Sequence, residues 1–179
     1  MEDIIVEVGM KLKQDLIYYH DMLINHGLRL VFTCITHDIY YTKQNLDGLT
    51  ENEMKNACVR LRFIERVNTK QDEQVDLLKK EQELIKEGYT KVFDTIKIDF
   101  NYCNDNMKSR VQIQNIKDIG LLVYYDNPDY YKHSLDTQRK LLIDELNSYG
   151  FEFNDNDLGL DKLRTLYYKK EMYSKNQNG

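Results

Sequence analysis

The sequence predicts an α+β fold, an antiparallel curved β-sheet with helices packed on the outside. Three observations lead there. Alternating apolar and polar stretches outnumber helical ones and do not take turns with them in a βαβ rhythm. Three helical stretches, each ending at a glycine, carry apolar stripes that need an apolar surface to cover. The alternating stretches offer that surface on one side and align charged side chains on the other, so their polar faces are expected to look inward.

The elements follow in chain order. In VEVGMKLK, residues 6–13, Val6, Val8, Met10 and Leu12 alternate with Glu7, Gly9, Lys11 and Lys13, which reads as a strand with one dry face. Leu16, Tyr19, Leu23 and His26 recur at helical spacing, with Gly27 placed to end that helix. LRLVFTCITHDIYYTK is rich in β-branched and aromatic residues and reads as one long strand or a strand pair. NLDGLTENEMKN reads as a polar loop. Val59, Leu61 and Phe63 alternate with Arg60 and Arg62 in the next strand.

A second helix carries Val75, Leu78 and Ile85 and closes at Gly88. In the strand KVFDTIKIDFNYC, Ile96, Ile98 and Phe100 alternate with Lys97, Asp99 and Asn101. RVQIQNIKDIGLLVYYD reads as two strands joined near Asp118 to Gly120. The third helix carries Leu135, Leu142, Leu146 and Tyr149 and ends at Gly150; Pro128 lies in the connection before it. A last helix is expected near Asp161 to Met172, and the expected organisation is a single domain over 1–173 with a flexible tail at 174–179.

Composition bounds the function. The 179 residues are 41% hydrophobic and 31% charged, ordinary for a globular domain. A net charge of -5 does not advertise nucleic-acid or membrane binding. The opening residues lack a charged region followed by an apolar stretch, so a cytoplasmic location is expected. Cys34, Cys58 and Cys103 form no CxxC pair, and His20, His26, His37 and His133 are scattered. Zinc signatures, a Walker loop and a G-x-S-x-G elbow are absent from the sequence. If the polar faces do look inward, Glu7, Lys11, Lys13, Arg60, Arg62 and Lys97 share one cavity. Concentrated buried charge is costly unless bound anions or metal compensate it.

Taken in order, these blocks resemble the CYTH superfamily, the triphosphate-tunnel metalloenzymes, which include class IV adenylyl cyclases, thiamine triphosphatases and inorganic tripolyphosphatases. Glu7-Val8-Gly9-Met10-Lys11 is similar to the family's opening E-x-E-x-K. Asp38-Ile39-Tyr40-Tyr41 resembles its D-x-Y-[FY], and Val59-Arg60-Leu61-Arg62 its L-R-[IL]-R strand. Gly88-Tyr89 is similar to L-G-F, and VQIQNIKDIGLLVYYD to the V-x-L-D-x-V…E-x-E block. The resemblance implies a partly open, triphosphate-tunnel-like barrel. It implies a triphosphate-containing small molecule as ligand, such as ATP, thiamine triphosphate or tripolyphosphate. The phosphate-binding residues would be Lys11, Lys13, Arg60, Arg62, Lys97 and Arg110, with Glu7 and Asp126 holding Mg²⁺ or Mn²⁺. Lys117 is a further basic candidate, on an expected turn.

The chain departs from the family where acids are expected, at Gly9, Gln114 and Tyr124, and Asp99 stands where a base is expected. Two readings therefore stay open: a cyclase or triphosphatase with weakened metal binding, and a non-catalytic phosphate-ligand-binding or interaction module on the same fold. A plain structural protein with solvated strand faces is the third.

Overall fold

The computed structural model describes residues 8–65, 71–107, 109–152 and 162–177, with backbone alone for 71–76 and 170–177. In chain order these form β1 (Val8–Lys11), α1 (Leu16–Asn25), β2 (Arg29–Thr42), α2 (Glu51–Ala57), β3 (Cys58–Glu65) and α3 (Gln71–Lys86). Then come β4 (Thr90–Cys103), β5 (Arg110–Ile116), β6 (Gly120–Asp126), a 3-10 turn at Pro128–Tyr130, α4 (Leu135–Ser148) and α5 (Lys162–Gln177). The strands make a six-stranded antiparallel sheet in the order β1-β6-β5-β4-β2-β3, so the fold is α+β.

β2 is one long strand, one of the two forms its sequence allowed. Three elements differ from the sequence expectation. The segment expected as a polar loop contains α2, because Thr50 and Glu53 form a capping box. The Thr50 hydroxyl accepts from the Glu53 amide, and the Glu53 carboxylate accepts from the Thr50 amide at 2.8 Å. β1 ends at Lys11, leaving Lys13 beyond the strand; α5 continues through Ser174 to Gln177.

The chain divides into two compact units. The first comprises Met1–Thr33, Asp99–Asn115 and Gly120–Leu160. Val8 and Met10 pair with Tyr125 and Val123, so all four point to one side of the sheet. There they meet Tyr19 and Leu23 of α1 and Leu142 and Leu146 of α4. Burying each leucine of this stripe contributes roughly 1.5–3 kcal/mol. Gly150, which ends α4 at φ +97, also lets α1 come close: a Cβ there would lie 2.9 Å from Met22 Sδ.

The second unit comprises Cys34–Ile98, Ile116–Ile119 and Asp161–Gly179. One side of its sheet presents Ile39, Tyr41 and Leu61 to Leu84 of α3, and the Tyr41 hydroxyl donates to Glu81. Tyr40 alternates to the other side and stacks on Phe93 at 4.7 Å. Leu163, Leu166 and Tyr167 of α5 and Met54 of α2 pack on that pair. The start of α5 is fixed by Glu51, whose two carboxylate oxygens accept from the Leu163 and Arg164 amides, each at 3.1 Å.

Candidate anion-binding site

β4 is buried on its polar face. Thr95, Lys97, Asp99 and Asn101 are nearly inaccessible, with Lys97 2% exposed, while Ile96 between them is 47% exposed. This reverses the usual preference of side chains for core and surface. The sequence expectation that the polar row of this strand looks inward is met.

The register of β2 and β3 brings further charge to one face of the second unit. Asp38 stands opposite Arg62, and Tyr40 opposite Arg60. The Arg62 guanidinium donates through Nε and Nη2 to the two Asp38 oxygens, at 2.6 and 2.8 Å. This is the planar two-point geometry that arginine makes with carboxylates. Asp38 is fully buried. Burial alone would push its carboxyl up. The Arg62 hydrogen bonds and the charges of Arg62, Lys97 and Arg60 outweigh it and hold the carboxyl below its ordinary value. Tyr40 is pushed up to about 12 by burial and by Asp38, against the pull of Arg60.

A fourth cation comes from α5. Lys162, its first residue, is half-buried, and its ammonium is brought down from 10.5 to about 8. Burial is the main cause and repulsion from Lys97 the next; Asp38 opposes them, and Arg60 and Arg62 add to them. Arg60, Arg62, Lys97 and Lys162 thus act on one another around Asp38. Thr95, between Phe93 and Lys97 on the same strand face, has a buried hydroxyl with no hydrogen-bond partner. Of the four cations Lys97 is buried, Arg62 and Lys162 are half-buried and Arg60 is exposed; grouped cations and an unpartnered buried hydroxyl suit an anion with several oxygens.

Lys11, Lys13 and Arg110 are exposed and belong to the first unit, with Lys13 in the connection to α1. Arg110 opens β5 and acts on Cys103. Lys117 is exposed on the β5–β6 turn, its amide donating to the Ile96 carbonyl. Glu7 lies outside the described residues. Asp126 is half-buried, and its Oδ2 accepts from the Tyr131 hydroxyl at 3.1 Å. Gly9 pairs with Tyr124. Gln114 donates to Gln112, which donates to Asn101.

Among the described residues no three His, Cys, Asp or Glu side chains come together as a metal centre. Glu7, expected to hold a metal with Asp126, is not among them. Sequence reasoning missed Lys162 and the pairing role of Asp38. Asp38 had a signal, an acid opposite an arginine-rich strand; Lys162 had none, because a lysine opening a helix is commonplace.

No family model matches the sequence, and no curated protein matches it. Solved structures do. A protein from Pyrococcus horikoshii superposes with a TM-score of 0.60 at 12% identity, over 93% of this chain and 98% of its own. A protein from Vibrio parahaemolyticus described as "a putative adenylate cyclase" gives a TM-score of 0.60 at 14% identity, over 87% and 92%. A conserved hypothetical protein from Pyrococcus furiosus gives 0.58 at 14%, over 90% and 99%. At such identities the likeness is one of fold alone: the chain shares the α+β architecture of these proteins.

Proposed function

We propose that the protein binds a triphosphate-containing small molecule through the polar face of its second unit. The observation that carries this reading is the burial of Lys97 beside Arg60, Arg62 and Lys162. Cations grouped in this way repel one another, and a polyanion relieves that repulsion. The fold shared with a protein described as "a putative adenylate cyclase" is a weaker support, and so is the resemblance of the sequence blocks to the CYTH superfamily.

Between turnover and plain binding, Gly9, Gln114 and Tyr124 favour binding, since the acids that would hold a metal on the triphosphate are replaced there. The proposed contacts come from cations alone. Calorimetric titration with tripolyphosphate should therefore give binding in EDTA, weakening as salt rises. Arg60→Gln with Lys97→Met should weaken it at least tenfold. Binding that needs Mg²⁺ or Mn²⁺ and survives this double substitution would move the site to Glu7 and Asp126.

A further inference from the structure

We infer that α3 is a dimerisation helix: it pairs in parallel with α3 of a second copy of this chain, through a short coiled-coil seam of Leu78, Gln82 and Ile85.

The helix carries two apolar faces, and its own sheet covers one of them. Leu77, Glu81 and Leu84 recur four and three residues apart on the covered side, where each is half-buried. Leu84 packs on Ile39, Tyr41 and Leu61, and Glu81 accepts from the Tyr41 hydroxyl. The stripe that the sequence offered to the sheet points away from it. Leu78 is 51% exposed and Ile85 57%, with the exposed Gln82 between them. Isolated exposed apolar side chains are ordinary. These fall in a heptad register: Leu78 and Ile85, seven residues apart, take d positions, and Gln82 takes the a position between them. By sequence, Val75 holds the preceding a position. A β-branched residue at a with leucine at d favours two strands, and a single polar a residue fixes register at some cost in stability.

The flanking charges select a second copy and its direction. Lys79 and Lys86 hold the e positions, and Glu81 holds the g position before Lys86. In a parallel, in-register pair, g of one helix meets the following e of the other. Glu81 of each copy then lies beside Lys86 of the other, twice by symmetry. An antiparallel pair sets e against e and gathers the lysines of both copies on one flank. The hydrogen bond from Tyr41 fixes Glu81 at the border between the covered side and the seam. With 16 residues in α3, the seam spans about two heptads and belongs among small interfaces, so the dimer forms reversibly as concentration rises.

The experiment is sedimentation equilibrium at low salt over about 10 to 500 µM protein. The proteins are the natural chain, Leu78→Glu with Ile85→Glu, Lys86→Glu and Gln82→Cys. The natural chain should rise with concentration from 21.5 kDa toward twice that mass. The double variant should stay at 21.5 kDa with unchanged circular dichroism, since both replaced side chains already face water. Lys86→Glu sets like charges against each other and should weaken dimerisation about tenfold, with partial recovery in high salt. If the double variant fails to fold, Lys86→Glu, at an exposed position, decides alone. Under mild oxidation Gln82→Cys should give a disulfide-linked dimer, because only a parallel, in-register pair brings the two a positions together. The natural chain is the blank, as Cys34 and Cys103 are buried and Cys58 is half-buried. A monomer at every concentration overturns the inference. So does a dimer that survives both charge-changing variants, or one that Gln82→Cys does not link.

Discussion

Replacing Asp38 by asparagine tests the electrostatic logic of the site. The side chain keeps its shape but loses its charge and one of its two strong acceptors. Arg62 then faces Arg60, Lys97 and Lys162 without the carboxylate that it grips at 2.6 and 2.8 Å. Removing one partner of a buried pair costs about 3–5 kcal/mol. The Arg62 side chain is 32% exposed, so water screens part of that loss, and the amide oxygen still accepts one bond. The expected cost is roughly 2–3 kcal/mol, which for a chain of this size lowers Tm by about 4–12 °C. Urea denaturation at pH 7 and low salt measures it. Tripolyphosphate should rescue Asp38→Asn more than it stabilises the natural chain, because the ligand supplies the missing counter-charge. A loss below about 0.5 kcal/mol, or equal stabilisation of both proteins by the ligand, would refute the reasoning.

The remaining predictions concern pH and the docking of α5. Lys162→Met should stabilise the ligand-free protein at pH 7 by up to roughly 3 kcal/mol, the equivalent of bringing the amine from 10.5 to about 8. In the natural chain that penalty is present in full below pH 8 and relieved as pH rises toward 10.5, so stability should climb over that window and stay flat in Lys162→Met. Asp38 acts oppositely. Its contribution is complete above the ordinary carboxylate range and is lost as pH falls below it, so Asp38→Asn should narrow the stability gap in acid. Glu51→Ala leaves the Leu163 and Arg164 amides without their acceptors and should cost about 1–2 kcal/mol, with loss of helical circular dichroism as the readout.

Much of this arrangement was legible in the residues. Alternation in TIKIDF placed Lys97 on the same side as Asp99, and the model of an inward polar face correctly anticipated their burial. The glycines at 27, 88 and 150 ended their helices because each takes a positive φ. The capping box of Thr50 and Glu53 was equally readable, yet it was hidden by the polar composition around it. What one sequence could not supply was long-range placement. Lys162 lies 65 positions from Lys97 in the chain, and only the packing of Leu163, Leu166 and Tyr167 against Tyr40 and Phe93 brings the two amines within reach of each other. In the same way, alternation through VEVGMKLK did not mark the end of β1 at Lys11, which leaves Lys13 past the strand.

A crystal structure of the protein grown with tripolyphosphate tests the central claim most directly. The account predicts phosphate oxygens at about 2.7–2.9 Å from nitrogens of Arg60, Arg62, Lys97 and Lys162. It also predicts a hydrogen bond from the Thr95 hydroxyl to the ligand. Density for the ligand on exposed lysines elsewhere, with Lys97 and Lys162 untouched, would contradict it.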